Sequence, residues 1–326
     1  MFIMYVTLFA EATTIEGLQV SQFSDDKQAR SRFALKEDFS SQSQCRTRIG
    51  CWFEKTDAWL TINRVQLNIP KSKLIYTYNP GKGSTTRHID STPLQIGSSL
   101  VQPSTTACNL GGIIDTHLTM EAQVMKTIRA ANFHLSRMNK IRRFFYFSSV
   151  KCVVNALVLS RLDYCNSLYL NLPSSFFKRL QRVQNAAVRT IFNLQKREHV
   201  SIHRQSLRWL EIADRAKLKV ACLTLRWFNG SAPPYLSDLI SCNAPGRELR
   251  SGDKNLLICK PFRLILFGKR AFSCAAPLLW NSLPDPVRQA PNLNTFRCLV
   301  TFCLKTVTKT HYLFPLYSST VHFCVI

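Results

Sequence analysis

The chain has 326 residues, 46% of them apolar, which is enough hydrophobic material for a buried core and excludes a fully disordered polymer. Lys and Arg number 43 against 19 Asp and Glu, a formal charge of +24. That excess points to a polyanionic partner, nucleic acid ahead of an anionic membrane surface, with an ordinary basic surface as the plain alternative.

In chain order, residues 1–16 show no interpretable pattern. From Gly17 to about Thr77 short apolar runs alternate with polar stretches, an α+β signature. Residues 77–107 are rich in Gly, Ser, Thr and Pro and read as loop or hairpin. Cys108 to Ile114 is a short strand-like run containing Gly111 and Gly112.

From about Met120 the pattern turns helical. Ala130, Phe133, Leu135, Met138 and Ile141 lie near a 3.6-residue period. A second helix is expected over about Ser148–Leu159, with Val150, Val153, Val154 and Leu157 on one side. A third begins after Pro173-Ser174 and buries Phe176, Leu180, Val183, Ala187 and Ile191. A fourth runs from about Asp214 to Phe228, stopped by Gly230 and Pro233-Pro234. Beyond Ser241, Leu256–Cys259 and Arg263–Phe267 are strand candidates, and Arg270–Ala276 and Leu293–Lys305 helix candidates.

The twelve cysteines form no Cys-x-x-Cys and no zinc-ribbon spacing, so they read as reduced, small hydrophobes; Cys152 and Cys222 sit in apolar helical runs. No run reaches the length of a membrane span, and Met1 to Ala10 lacks a basic leading segment and a cleavage site. The expectation is a cytoplasmic or nuclear protein without a membrane partner.

One constellation points to a reaction. Asp25 and Asp26 follow the β-prone stretch Leu18–Phe23; two adjacent carboxylates in a tight hairpin suit Mg²⁺, which prefers hard oxygen ligands. The plain alternative for an isolated Asp-Asp is an exposed turn. His199 and His203 have i, i+4 spacing without a completing ligand, and Gly81-Lys82-Gly83-Ser84 reads as a turn rather than a phosphate loop. Basic residues recur along the helices: Lys126, Arg129, Arg137, Lys140, Arg142, Arg143, Lys178, Arg179, Arg182, Arg189, Lys196 and Arg197. Singly each is a solvated charge; together they suit phosphate. Phe144-Phe145-Tyr146-Phe147 interleaves aromatics with them, and a core face is expected there ahead of base stacking. Trp209, Trp227 and Trp280 are expected to anchor cores.

Gly17 to Gln28, with Phe23-Ser24-Asp25-Asp26 inside it, resembles the aromatic-Ala-Asp-Asp segment of reverse transcriptases of non-LTR (LINE-type, jockey-like) retrotransposons. Trp59 to Lys71 resembles the Trp-x-x-x-Asn-x-Leu-x-Leu-Asn-x-x-Lys stretch that follows it in that family, and Asn109-Leu110-Gly111-Gly112-Ile113-Ile114-Asp115 its Asn-Leu-Gly-Val strand. Ser160–Leu168, Leu180–Arg189, Ala232–Leu236 and Arg270–Pro284 are similar to later segments of the same reading frame.

The resemblance implies an α+β fold. A partial palm of short antiparallel strands would occupy 17–118 and a mainly helical thumb 119–230. A C-terminal extension would occupy 231–326, and 1–16 stay unassigned. It implies that Asp25 and Asp26 stand at metal-carboxylate positions for Mg²⁺ and that Lys71 lies near an incoming triphosphate. Gly111 would permit close backbone approach to a primer. It implies an RNA or DNA template-primer as partner, with Arg137, Lys140, Arg142, Arg143, Lys178, Arg179, Arg182 and Arg189 as nucleic-acid contacts. The family's further metal-binding aspartate belongs to an earlier palm strand, and before Asp25 only Glu11 and Glu16 are acidic. Lys27 stands where the family has threonine. The expectation is therefore a catalytically incompetent remnant of an RNA-directed DNA polymerase. Two alternatives stay open: a non-catalytic basic helical nucleic-acid-binding protein, and a poorly folded transposon relic.

Overall fold

A computed structural model describes residues 9, 12–23, 26–34, 38–78, 89–97, 99–243, 255–262 and 268–307, the side chains of 306 and 307 excepted. The architecture is mixed α+β, in two compact units that meet in sequence at Ala122 and Gln123.

The first unit holds three antiparallel hairpins and one long helix. Strands β1 (Gln19–Phe23) and β2 (Asp26–Arg30) pair with Phe23 opposite Asp26 and Gln19 opposite Arg30. Helix α1 (Ser40–Ile62) buries Gln42, Cys45, Trp52, Thr56 and Leu60. That stripe keeps helical spacing but includes two polar residues, so apolar periodicity does not reveal it. Asn63 ends the helix, its side-chain amide donating to the Trp59 carbonyl at 2.7 Å. Strands β3 (Leu94–Ile96) and β4 (Ser99–Val101) lay Leu94, Ile96 and Val101 against Ile49 and Phe53 of α1, with Ile69 and Leu74 alongside.

Polar side chains hold this small core in register. Gln42 donates to the Asp90 carbonyl (2.7 Å) and accepts from its N–H (2.9 Å). Arg46 donates to the carbonyls of Thr92 (2.8 Å) and Pro93 (2.7 Å). Strands β5 (Thr106–Asn109) and β6 (Gly112–Asp115) make a hairpin where the sequence points to a single strand. Leu110 and Gly111 both have positive φ, 46° and 79°, which a two-residue hairpin turn requires. Gly111 is thus a turn glycine, and the chain doubles back on itself at that point.

The second unit is helical. Helix α2 (Glu121–Ile141) buries Val124, Thr127, Ala131, Leu135 and Met138. The expected stripe is corrected: Phe133 and Ile141 are exposed, because the core follows the 124–127–131–135–138 row. Helix α3 (Phe147–Val154) continues through a π-turn, Asn155–Leu159, into α4 (Ser160–Asp163). The wider turn carries Val158 and Leu159 inward and leaves Leu157 exposed, again unlike the expected face.

Helix α5 (Ser174–Phe192) starts after Pro173 and buries Leu180, Val183, Ala187 and Ile191, as its period predicts, but leaves Phe176 only half-buried. A short helix α6 (Ser201–Ser206) leads to α7 (Ile212–Phe228). Gln181 of α5 accepts the Ile212 N–H (3.0 Å), satisfying a donor that the first turn of α7 leaves unpaired, and fully buried Gln184 donates to the Leu210 carbonyl (2.9 Å). The Leu180–Arg189 motif is thus a helix joint.

The described residues from 231 to 305 belong to the same unit. Helices α8 (Pro234–Ser237), α9 (Phe272–Asn281), α10 (Asp285–Arg288) and α11 (Leu293–Val307) follow, and α7, α9 and α11 share one core. At its centre Trp280 stacks between Phe228 (4.8 Å) and Phe296 (5.6 Å), and its N–H donates to the Asn255 carbonyl. Leu257 makes a single bridge to Cys242 rather than a strand; Arg263–Phe267 lie outside the described residues. Trp209 is buried and Trp227 half-buried, its N–H donating to the Ser237 carbonyl. Cys222 is buried, but Cys152 is exposed, on the solvent side of α3. No helix among the described residues is long and apolar enough to cross a membrane.

Candidate nucleic-acid interface

The two ends of the diacid motif fare differently. Asp26 is exposed at the start of β2, opposite exposed Phe23; Asp25 lies outside the described residues, as do Gly81-Lys82-Gly83-Ser84. Lys27 points its ammonium at the Phe9 ring (4.6 Å), and Phe9 packs edge-on against Trp59 (5.3 Å). The opening segment, unreadable in sequence, thus supplies a core aromatic to the first unit.

Gln28 and Asn109 join two of the sequence motifs. Their side-chain amides bond reciprocally, Asn109 donating to Gln28 at 3.2 Å, and so tie β1–β2 to β5–β6. Lys71 is exposed at the end of a single 3₁₀ turn, Ile69–Lys71. No hydrogen bond or ion pair joins it to Asp26 among the described residues. Asp115 accepts the N–H groups of Thr119 and Met120 (both 2.8 Å), so its carboxylate organises the approach to α2.

Among the described residues no group of three or more His, Cys, Asp or Glu is arranged to hold a metal ion. Asp25, the other carboxylate of the motif, lies outside the described residues, and no chemical step is derived through a Mg²⁺ site. His203 lies against the Phe192 ring (4.5 Å) and His199 is exposed. Burial pushes the Cys165 thiol and the Tyr169 hydroxyl above their ordinary values, which keeps both neutral and makes Cys165 a poor nucleophile.

The second unit gathers the cations. From 122 to 197 the chain has fourteen Lys and Arg and one acid, Asp163. That acid is committed: Arg215 holds it with a two-pronged ion pair, Nε to Oδ1 at 2.6 Å. The surface between is therefore one-signed.

The eight predicted contacts divide into two sets. Arg137, Lys140, Arg143, Lys178 and Arg182 stand outward or at the helix margin. Arg142, Arg179 and Arg189 are engaged within the unit. Arg142 donates to the carbonyls of Thr190 and Ile191 (both 3.0 Å) and of Phe145, closing the last turn of α5. Arg179 is bonded to the Met125 sulfur, and Arg189 reaches the Glu198 carbonyl. These arginines build the helix pair; the other five are exposed. The Met125–Arg179 contact near the helix starts and the Arg142 contacts near the ends make α2 and α5 run in the same direction.

The aromatic run overturns the expected core face. Phe144 is 71%, Tyr146 85%, Phe147 45% and Phe145 38% exposed. Consecutive residues leaving a 3₁₀ turn point in different directions, so one core face cannot take all four. The cations sit among these rings: Arg143 lies over Phe144 (4.8 Å), and on α2 Arg137 lies over half-exposed Phe133 (4.5 Å). Phe147 meets Phe192 edge-on (5.1 Å), which seats the run against the end of α5. Sequence pattern does not identify Phe133, Phe192 and His203 as part of this surface. The adjacency of four aromatics to Arg142-Arg143 is the available signal.

Compared with protein families, with curated proteins and with solved structures, the chain matches none.

Proposed function

We propose that the helical unit binds the phosphate backbone of RNA or DNA, as the non-catalytic part of a reverse-transcriptase-like chain, and that the described residues transfer no nucleotides by themselves. The observation that carries this reading is the one-signed surface: fourteen cations against a single, already paired carboxylate between 122 and 197. Phosphate contacts of this kind need no base sequence, and their strength comes from released counterions. From Lys178 to Ile191 α5 spans ~20 Å, about the length of six phosphates along one strand of a B-form duplex.

The non-catalytic part is supported by the lack of any bond joining Asp26 to Lys71 among the described residues. Asp26 is exposed, opposes a phenylalanine, and stands outside any described group of metal-capable side chains. Lys71 is likewise solvated and not joined to it. Asp25, Asp26, Lys71 and Mg²⁺ remain the positions and ion that the family resemblance implies.

The test is a salt titration of binding to a labelled 20-mer duplex. The expected result is affinity that falls linearly with log salt. The double variant Lys178→Glu, Arg182→Glu should lower that slope by about two, one for each phosphate no longer neutralised. Salt-independent binding, or none at low salt, would overturn the reading. Mg²⁺-dependent primer extension on poly(rA)–oligo(dT) that disappears in Asp26→Ala would overturn the non-catalytic part.

A further inference from the structure

We propose that Phe144, Tyr146 and Phe147 form a stacking ledge for unpaired nucleotides, so that the helical unit prefers single strands to fully paired duplex; this rests on the phosphate-binding reading above. Exposure is the first support. Three large rings in four consecutive residues stand open to solvent, with Phe133 further back on α2. Several large aromatic rings left open to solvent on one short segment mark a contact surface on a folded protein.

The placement of the cations is the second support. Arg143 covers one side of Phe144, and Arg137 one side of Phe133. A planar guanidinium on a ring leaves its own outer face for a base and its edge donors for a phosphate. Tyr146 is the most open ring, and Phe147 is steadied by its edge contact with Phe192.

Charge chooses the occupant. Between 122 and 162 there are eight cations and no carboxylate. An apolar protein surface laid over the ledge would bury Arg137, Lys140 and Arg143 without counter-ions. A duplex satisfies the cations but hides its base faces within the stack. A single strand offers both, a base for each ring and a phosphate for each cation.

The test compares the intact chain with the double variant Phe144→Ala, Tyr146→Ala on labelled (dT)20 and on a 20-base-pair duplex at one salt concentration. Both rings are exposed, so the variant should fold, and far-UV circular dichroism is the check. The expected result is about tenfold weaker binding of the variant to (dT)20 with duplex binding nearly unchanged, and restoration by Phe144→Tyr, Tyr146→Phe, which keeps both rings. Equal losses on both nucleic acids, or no preference in the intact chain, would overturn the ledge while leaving phosphate binding standing. Salt-insensitive binding to both, or none, would overturn the phosphate reading itself. Self-association that the same double variant abolishes, with (dT)20 binding intact, would make the ledge a contact between copies and overturn the proposal.

Discussion

The two units solve the same problem with different means. In the first, each hairpin has two strands of three to five residues, and the core cluster where β3–β4 meets α1 has three buried apolar side chains, Leu94, Ile96 and Val101. Two-stranded ribbons are marginal alone, so side-chain amides and a guanidinium stitch them: Gln28 to Asn109, Gln42 to Asp90, Arg46 to Thr92 and Pro93. In the second unit a continuous apolar core runs through α7, α9 and α11 around the Phe228–Trp280–Phe296 stack. There polar groups act at joints, such as Gln181 and Gln184 at the head of α7. A short core makes specific hydrogen bonds carry register, whereas a long one leaves them to orient helix ends.

The largest expected effect that sharpens this contrast comes from Trp280→Ala. Removing a fully buried, doubly stacked ring should cost about 3–5 kcal/mol. Urea unfolding followed by hydrogen exchange should show the loss in 212–228 and not in 40–62. Equal loss in both segments would mean that the units unfold as one and would remove the contrast.

A smaller effect is expected from Gln28→Ala, which leaves Asn109 without its amide partner. The cost should be about 1 kcal/mol, confined to the hairpin unit and visible as faster exchange in 106–115. Unchanged exchange there would show that the hairpins are held by something other than this pair.

The smallest effect concerns pH. The Thr92 N–H donates to the Asp90 carboxylate at 2.9 Å and holds it below the ordinary aspartate range; burial opposes this, and the Thr92 hydroxyl and then Arg46 add to the lowering. A depressed folded-state value means that the contribution is present above the unfolded value of about 4 and is lost as pH falls through the folded one. The stability gap between the native chain and Asp90→Asn should therefore close as the pH is lowered from about 5 to below 4. A gap constant over that range would remove the carboxylate from the account of this loop. On the functional side the same contrast predicts that Lys178 and Arg182 set the salt dependence of binding and the ledge sets strand preference, with the hairpin unit contributing neither.

Amphipathic helices are the most legible part of the sequence. The start and buried row of α5 can be read because Pro173 punctuates it and its apolar residues keep one period. α7 and α11 are legible for the same reason. α1 is not, since buried Gln42 and Thr56 interrupt its stripe, and the partner that makes Gln42 a core residue is Asp90, far along the chain. The turn at Leu110-Gly111 escapes the sequence because a hydrophobic run with a central glycine fits both a strand and a hairpin.

By itself the sequence determined the α+β class, the one-signed charge of residues 122–197 and the buried row of α5, all of which are local or additive properties of the chain. Tertiary structure alone decided which cations are spent on helix ends and which stay exposed. Arg142 and Arg143 are neighbours, yet one closes α5 and the other covers Phe144. It also decided that Phe144 to Phe147 face solvent. Burial depends on what packs against a segment, and the ring of Phe192 at the end of α5 meets Phe147 of that run.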